Sequence, residues 1–264
     1  MNRRNFIKTS TAAANAFTFP LLDSQRTNPK SIVRKVFIYG GDFDRGFTKY
    51  AASLTGKQNP KICFLPTAAG DAPGYIVRWF ESCADLPVRP FVQRSFISSY
   101  NQKESFEDIF MSMDAILVGG GNTLNMIAIW KAQGMDIALL KAWEHGVVLG
   151  GGSAGSLCWF EQGTTDSRPG KLTTVEGLGF IRGSHCPHYD AEGERKPLYW
   201  SKIKSGEFKS GFACDDKAGI YFENEEVKQV VALNQNSNAY FVTLAGNEVK
   251  ETVLQKSVLP PAWP

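Results

Sequence analysis

The stretch Val147–Gly155 has the sequence VVLGGGSAG and joins an apolar run to a glycine-rich turn. The apolar residues predict a buried strand, and Ala154 to Phe160 predict a helix that begins directly after the turn. Ser153, at the centre of this Gly-x-Ser-x-Gly pattern, is typical of a nucleophile elbow. Small neighbours permit the sharp turn, and the helix N-terminus offers free amides to a developing oxyanion. Acyl-transfer chemistry is therefore the leading hypothesis, although similar turns also hold phosphates or only close a tight connection.

Strand-like and helix-like segments alternate on the N-terminal side of this elbow. Alternation of this kind predicts an α/β fold with a mainly parallel sheet and helices on both faces. Ligands bind such sheets beyond the carboxyl ends of the strands, where the loop Gly119–Asn122 joins the elbow. The predicted strands are Lys35–Tyr39, Lys61–Pro66, Val88–Val92 and Asp114–Val118, and the predicted helices are Phe47–Leu54, Tyr75–Ala84, Ser105–Met113, one from Leu124, and Ile137–Glu144.

The pattern changes after about Thr173 to short strands and turns, with one helix near Lys196–Lys204. Short antiparallel strands are predicted to finish the sheet or to form a small edge layer. No internal repeat or low-complexity linker divides the chain, so residues 26–264 are predicted to form a single catalytic domain. The strands predicted in this part are Gly219–Phe222, Val227–Leu233, Ala239–Val242 and Val249–Leu254.

Composition excludes several classes of protein. The 264 residues are 43% hydrophobic, which is enough for a sizeable core. The net charge of +3 comes from dispersed lysines and arginines, so no nucleic-acid partner is expected. The sequence contains no run of about twenty apolar residues, so no membrane-spanning helix is predicted. The five cysteines lack zinc-type spacing and are expected to be mostly buried thiols. A monomer or a homodimer is expected.

Residues 1 to about 25 differ from the rest of the chain. Arg3 and Arg4, followed by Phe6, Ile7 and Lys8 and a small apolar stretch, are similar to a twin-arginine export signal. This predicts export of the folded protein, to a periplasmic location, and a cytoplasmic location if the signal is not used. A merely disordered basic N-terminus is the alternative.

A serine nucleophile needs a base, and the chain has three histidines. His145 ends a predicted helix, where a cation meets the helix dipole favourably. His185 and His188 lie in a loop stiffened by Pro187, and either could be the base.

The other two parts of such a site are a carboxylate and an oxyanion hole. The candidates for the carboxylate that orients the histidine are Asp166 and the pair Asp215 and Asp216. The pair separates a segment predicted to be helical from an apolar strand. The oxyanion hole is expected to use the amide of Ala154 and a second amide from the glycine loop at Gly120.

Four short motifs follow one another along the chain: Gly119-Gly120-Gly121-Asn122-Thr123, Gly152-Ser153-Ala154-Gly155, Pro187-His188-Tyr189 and Asp215-Asp216-Lys217-Ala218. With these motifs the chain resembles the aspartyl dipeptidase (peptidase E) and cyanophycinase family of serine peptidases. The resemblance covers most of residues 33–242, and together the motifs are much more specific than any one of them. That family has a sheet similar to class I glutamine amidotransferases, which carry cysteine where this chain has Ser153.

The resemblance implies Ser153 as nucleophile, His188 as base and Asp216 as acid, with Asp215 and Asp166 in reserve. Aspartyl dipeptidase carries glutamate as the acid, so the aspartate is a departure. Arg195 is the nearest match to the arginine that recognises an N-terminal aspartate there, although the segment from His188 is shorter. The substrate-binding residues expected from these motifs are Asn122, Thr123, Asp166 and Arg195.

The expected function is that of a serine dipeptidase or exopeptidase that cleaves small peptides with an N-terminal aspartate and needs no metal or organic cofactor. An esterase or amidase acting on a non-peptide acyl substrate is the nearest alternative, because the same elbow serves it. A non-catalytic binding protein for acidic peptides is a second alternative. Amidotransfer with a partner synthase is disfavoured by serine in place of cysteine.

Overall fold

The computed structural model describes residues 32–98 and 100–260. The predicted export signal and the predicted domain boundary at residue 26 lie outside the described residues. The strands are β1 Lys35–Tyr39, β2 Lys61–Leu65, β3 Arg89–Val92, β4 Ala115–Val118, β5 Val148–Gly152, β6 Phe160–Thr165, β7 Thr173–Glu176, β8 Ile181–Cys186, β9 Gly211–Cys214, β10 Ala218–Glu223, β11 Glu226–Ala232, β12 Ala239–Ala245, β13 Glu248–Val253 and β14 Ser257–Val258. The α-helices are α1 Arg45–Leu54, α2 Pro73–Cys83, α3 Phe106–Met111, α4 Thr123–Gln133, α5 Met135–Glu144, α6 Ala154–Leu157 and α7 Arg195–Lys204.

The main sheet has eight strands in the order β14-β11-β10-β1-β5-β4-β2-β3. The pairs from β1 to β3 are all parallel, and β10 joins β1 in antiparallel orientation. The strongly apolar strands β4 and β5 lie near the centre, as a sheet covered on both faces requires. The predicted α/β fold with a mainly parallel sheet is confirmed.

Helices cover both faces of this sheet because its side chains alternate between two cores. In β1, Val36 and Ile38 belong to the core that α4 and α5 cover. Phe37 and Tyr39 belong to the core that α1 and α2 cover. All five cysteines are buried and free, as predicted. No helix among the described residues combines the length and apolar composition needed to cross a membrane.

A second sheet of six strands, in the order β13-β12-β9-β8-β6-β7, is larger than the edge layer that the sequence predicts. The predicted C-terminal strands divide between the two sheets: β10 and β11 finish the main sheet, whereas β12 and β13 belong to the second. The segment before Asp215, expected to be helical, is strand β9. Strand β9 lies between β8 and β12, so pairing with neighbours outweighs its local preference.

The helix predicted for Ala154–Phe160 is only partly present. Helix α6 ends at Leu157, and Phe160 begins β6. Tertiary packing is the reason, because Trp159 and Phe160 are completely buried and Phe160 stacks on His185 with ring centroids 4.8 Å apart. The chain therefore leaves the elbow after one helical turn and enters the second sheet.

Candidate active site

Ser153 lies between β5 and α6 in a strained backbone conformation, with φ 54° and ψ −117°. A residue with a side chain rarely adopts a positive φ, and such strain concentrates at functional turns. A β-carbon on Gly152 would lie 2.0 Å from the carbonyl oxygen of Gly41, and one on Gly155 would lie 2.1 Å from the carbonyl oxygen of Val118. The glycines of the motif therefore permit the close backbone packing that holds the elbow.

We expect Gly152→Ala to destabilise the fold by about 2 kcal/mol or more, because the new methyl group meets backbone that cannot rotate away. Gly74→Ala is the matched control, since a β-carbon there has nothing within 4 Å and Gly74 lies in the first turn of α2. Alanine in that helix is expected to leave stability unchanged or to raise it by about 0.5–1 kcal/mol. Urea unfolding of the two variants measures the difference, and equal stabilities would contradict the packing argument.

The structure brings together Ser153, His188 and Asp216, the three residues predicted for the catalytic triad. His188 Nδ1 lies 2.6 Å from Asp216 Oδ1, and His188 Nε2 lies 2.8 Å from Ser153 Oγ. A carboxylate accepts hydrogen bonds only, so the Nδ1–H group donates to Asp216 and Nε2 accepts from the serine hydroxyl. This arrangement can take up the serine proton and can stabilise the resulting imidazolium.

Two neighbouring loops hold Asp216 in this position. Its backbone N–H donates to Asp190 Oδ1 at 3.0 Å. Its carbonyl oxygen accepts the N–H of Gly41 at 3.1 Å. A β-carbon on Gly40 would lie 2.3 Å from the carbonyl oxygen of Asp215. The glycines after β1 therefore let the turn between β9 and β10 pack against the main sheet and present Asp216 to the histidine.

The other histidines lie elsewhere. His185 is completely buried in β8, where its Nδ1–H donates to the carbonyl oxygen of Phe212 at 3.1 Å and its Nε2 lies 2.9 Å from Ser156 Oγ. Burial lowers the pKa of His185 to about 3, so this ring stays neutral. His145 caps the end of α5, where the sequence places it.

The two reserve carboxylates have other partners than the histidine. Asp215 Oδ2 accepts the backbone N–H of Asn238 at 2.7 Å, and burial raises the pKa of Asp215 to about 6. Asp166 lies at the end of β6, with Oδ1 3.6 Å from Arg195 Nη2. Of the three candidate acids, the structure places Asp216 against His188.

Gly120 faces the nucleophile, as expected for an oxyanion hole. A β-carbon on Gly120 would lie 3.2 Å from Ser153 Cβ. Ala154 is the first residue of α6, so its amide is among those that a helix leaves without an intrahelical acceptor. The Gly120 N–H, however, donates to the hydroxyl oxygen of Tyr75 at 3.0 Å. One of the two amides predicted to bind the oxyanion therefore already donates its hydrogen bond to the Tyr75 hydroxyl.

Contacts within the chain hold three of the four predicted substrate-binding residues, Asn122, Asp166 and Arg195. Asn122 caps α4 and donates from Nδ2 to the carbonyl oxygen of Ser167 at 2.9 Å. Thr123 is buried. The Arg195 side chain is 3% exposed, and its Nε donates to Glu192 Oε2 at 2.6 Å. Its Nη1 donates to the carbonyl oxygen of Thr164 at 3.0 Å. The guanidinium is thus held by this chain's own groups in this conformation.

The sequence analysis does not identify three residues that lie beside the triad and the glycine loop: Asp42, Tyr75 and Asp190. Tyr75 accepts the N–H of Gly120 and donates to Asp42, and Asp190 accepts the backbone N–H of Asp216. Gly40 and Gly41 were an available signal, because they follow a strand just as the other two glycine clusters do. Tyr75 carries no such signal, since it reaches Gly120 from the first turn of α2, 45 residues away in sequence.

Known proteins that resemble this chain are peptidases. The sequence model of Peptidase family S51 matches residues 41–230. A protein of Bacillus subtilis (strain 168), described as "Uncharacterized peptidase YgaJ", is 42% identical over 207 residues, which are 78% of this chain and 88% of that protein.

Two solved structures share the fold. A peptidase from an acI-B1 Actinobacterium superimposes with a TM-score of 0.67 at 15% identity, over 86% of this chain and 96% of its own. A candidate peptidase E protein from Listeria monocytogenes EGD-e gives a TM-score of 0.56 at 18% identity, over 76% of this chain and 100% of its own.

Proposed function

This chain belongs to peptidase family S51 and is a serine peptidase, and from that membership we propose that it is a dipeptidase or exopeptidase that uses Ser153, His188 and Asp216. The observation that carries this proposal is the unbroken pair of hydrogen bonds from Ser153 through His188 to Asp216, at 2.8 and 2.6 Å. Hydrogen bonds of this length link nucleophile, base and acid in a reactive arrangement.

In the proposed reaction, Ser153 Oγ attacks the scissile carbonyl carbon while His188 Nε2 takes the hydroxyl proton. Asp216 keeps the imidazole in the required tautomer and stabilises its charged form. The tetrahedral intermediate places its oxyanion between the Ala154 amide and the loop at Gly120. His188 then protonates the leaving amine. In the second half of the reaction, His188 takes a proton from water, the water oxygen attacks the acyl-enzyme, and His188 returns the proton to Ser153 Oγ as it leaves.

For the substrate, we propose peptides with an N-terminal aspartate, recognised by Arg195. A guanidinium is suited to a carboxylate because it offers paired donors in one plane. Asp166 lies opposite Arg195 Nη2 at 3.6 Å, which is longer than a hydrogen bond, and its side chain is 65% exposed. A carboxylate of the substrate can therefore replace Asp166 beside Arg195 without breaking the closer contact with Glu192.

This proposal predicts that Asp166→Asn raises kcat/KM for Asp-x dipeptides about two- to fivefold, since it removes a competing exposed charge. Ala-x dipeptides are expected to be cleaved at the parent rate. Arg195→Lys is expected to lower the ratio of kcat/KM for Asp-x over Ala-x by about tenfold or more, because an ammonium loses the paired contact. Steady-state hydrolysis of matched Asp-x, Glu-x and Ala-x peptides measures both ratios.

Glu194→Gln is the charge-matched control, because Glu194 is an exposed acid next to Arg195. Its effect on the Asp-x to Ala-x ratio is expected to be within twofold. Equal effects of Asp166→Asn on both kinds of peptide would contradict recognition at Arg195. Hydrolysis of simple esters without any preference for acidic dipeptides would favour the esterase alternative, and binding of acidic peptides without turnover would favour the binding protein.

For location, we propose export through the basic segment at residues 2–8, on the sequence pattern alone. Fractionation of cells that carry the natural chain, compared with an Arg3→Lys, Arg4→Lys variant, tests it. Retention of the variant in the cytoplasm supports export through this segment.

A further inference from the structure

The Tyr75 hydroxyl lies in a short chain of hydrogen bonds beside the nucleophile. It accepts the N–H of Gly120 at 3.0 Å and donates its proton to Asp42 Oδ1. Burial, together with the charge of Asp42, raises the pKa of Tyr75, so the phenol keeps its proton. Arg78 Nη2 binds the other oxygen of Asp42 at 3.1 Å. None of these three side chains has a part in the triad.

The phenol faces the nucleophile across Gly120. The point at which a β-carbon on Gly120 would lie is 3.5 Å from Ser153 Oγ and 3.8 Å from the Tyr75 hydroxyl. The Tyr75 ring packs against Phe43 and Phe64, with centroids 5.2 and 5.3 Å apart. Its hydroxyl proton can turn about the C–O bond while the ring stays in place. With the Gly120 amide already engaged, this O–H group can turn to donate at that end of the oxyanion hole.

We propose that the Tyr75 hydroxyl is the second donor to the oxyanion and that Asp42 binds the free α-ammonium group of the substrate. The proposal rests on the proposed role of Ser153 as nucleophile. In the free protein the Tyr75 proton points to Asp42. When the substrate's ammonium binds Asp42, it replaces that contact, and the O–H turns to the carbonyl oxygen under attack. No covalent bond of the tyrosine changes, and the phenol stays protonated throughout.

The dimensions of a peptide allow both contacts at once. The α-nitrogen and the carbonyl oxygen of one residue are about 3 Å apart by standard backbone geometry. A carbonyl oxygen that accepts from Tyr75 therefore places its own α-ammonium within reach of the carboxylate bonded to the same hydroxyl. The Asp42 side chain is 43% exposed, and its two oxygens can accept more hydrogen bonds than Tyr75, Arg78 and the backbone N–H of Phe43 supply.

This arrangement makes the free N-terminus of the substrate part of the reaction. A peptide with a blocked N-terminus leaves the Tyr75 O–H group hydrogen-bonded to Asp42 and brings its oxyanion near a carboxylate whose charge no ammonium group neutralises. Such a peptide is expected to react slowly even if it binds. The structure thus gives a physical reason for exopeptidase selectivity that is independent of the substrate's side chain and of Arg195.

Tyr75→Phe tests the donor. The phenyl ring retains the packing with Phe43 and Phe64, and loss of one oxyanion donor is expected to lower kcat about 10²- to 10³-fold with little change in KM. Tyr50→Phe is the matched control, because the Tyr50 hydroxyl bonds Gln229 at an exposed position; its kcat is expected to stay within twofold of the parent. A Tyr75→Phe variant with the parent kcat would overturn the proposed donor.

Asp42→Asn tests the ammonium site. The readout is the ratio of kcat/KM for a free dipeptide over its N-acetyl counterpart, which is expected to fall about tenfold or more. An unchanged ratio would overturn the ammonium site.

A second measurement separates this proposal from the proposed function. An α-aminoalkylphosphonate diphenyl ester carries a free ammonium group, places an oxygen in the oxyanion hole and labels an activated serine without any peptide bond, and mass spectrometry follows its attachment to Ser153. Slower labelling of Tyr75→Phe than of the parent supports the donor even if no tested peptide is cleaved, whereas equal labelling overturns it. A parent that is labelled but cleaves no peptide contradicts the peptidase substrates alone. A parent that is not labelled contradicts the nucleophile, and both proposals with it.

Discussion

Ser153→Ala is expected to lower kcat on any cleaved peptide by about 10⁴- to 10⁶-fold, because alanine cannot form the acyl-enzyme. Substrate binding is expected to persist, since the hydroxyl is the only group removed. Purified parent and variant are compared in steady-state hydrolysis, with binding of the same peptide to the variant measured by calorimetry. The variant must show the parent's unfolding transition for the comparison to address chemistry.

Ser201→Ala is the control for Ser153→Ala, because Ser201 is exposed on α7 and its hydroxyl donates to the carbonyl oxygen of Leu198 in the same helix. It is expected to retain the parent kcat. A Ser153→Ala variant that keeps a tenth or more of the parent activity would show that another residue is the nucleophile. Loss of peptide binding together with activity would instead show that the substitution disturbs the elbow itself.

The elbow could be predicted from sequence because its requirements are local. An apolar strand, three glycines and a serine leave few other backbone paths, and the observed φ of 54° at Ser153 is the strain that this motif requires. The approach of His188 and Asp216 is not local. Their placement followed from the motif resemblance, and membership of the S51 family confirms that resemblance; the roles of the two residues stay predictions.

The second sheet could not be predicted because its strands carry weak signals. Strand β9, Gly211–Cys214, has only four residues, and β8 is buried at nearly every position, so neither shows the alternation of a half-buried strand. The sequence predicts a helix as far as Phe160 because nothing in the local pattern shows that the chain changes sheets there. These segments form strands because they pair with strands that are distant in sequence. A short stretch of a single sequence carries no signal for such pairing.

Tyr75 illustrates the same limit at the site. Its side chain fits the apolar pattern of α2, and only the packing of that helix on β2 brings the hydroxyl to Gly120. Asp42 follows two glycines after a strand, which marks a sheet edge where ligands bind. The position of Asp42 after these glycines therefore indicates a site residue from sequence alone, whereas the position of Tyr75 does not.

Asp216→Asn is expected to lower kcat about 10⁴-fold, because an asparagine amide can donate to His188 Nδ1 and so fixes the wrong tautomer. His188 Nε2 would then carry a proton and could not accept the proton of Ser153. Asp216→Glu keeps the charge and the tautomer but shifts the carboxylate, so an intermediate kcat is expected. Steady-state kinetics of the three proteins, with ¹⁵N shifts of the His188 ring to report the tautomer, measure the effect.

Asp215→Asn discriminates the triad acid from its neighbour. Asp215 bonds the backbone of Asn238 at 2.7 Å and has no hydrogen bond with His188 among the contacts of the described residues. Its replacement is expected to lower the unfolding temperature while kcat stays within about tenfold of the parent, because one anchor of the turn weakens and the tautomer is unaffected. A larger loss of kcat in Asp215→Asn than in Asp216→Asn would assign the acid to Asp215, and the 2.6 Å contact between His188 and Asp216 would then be structural only.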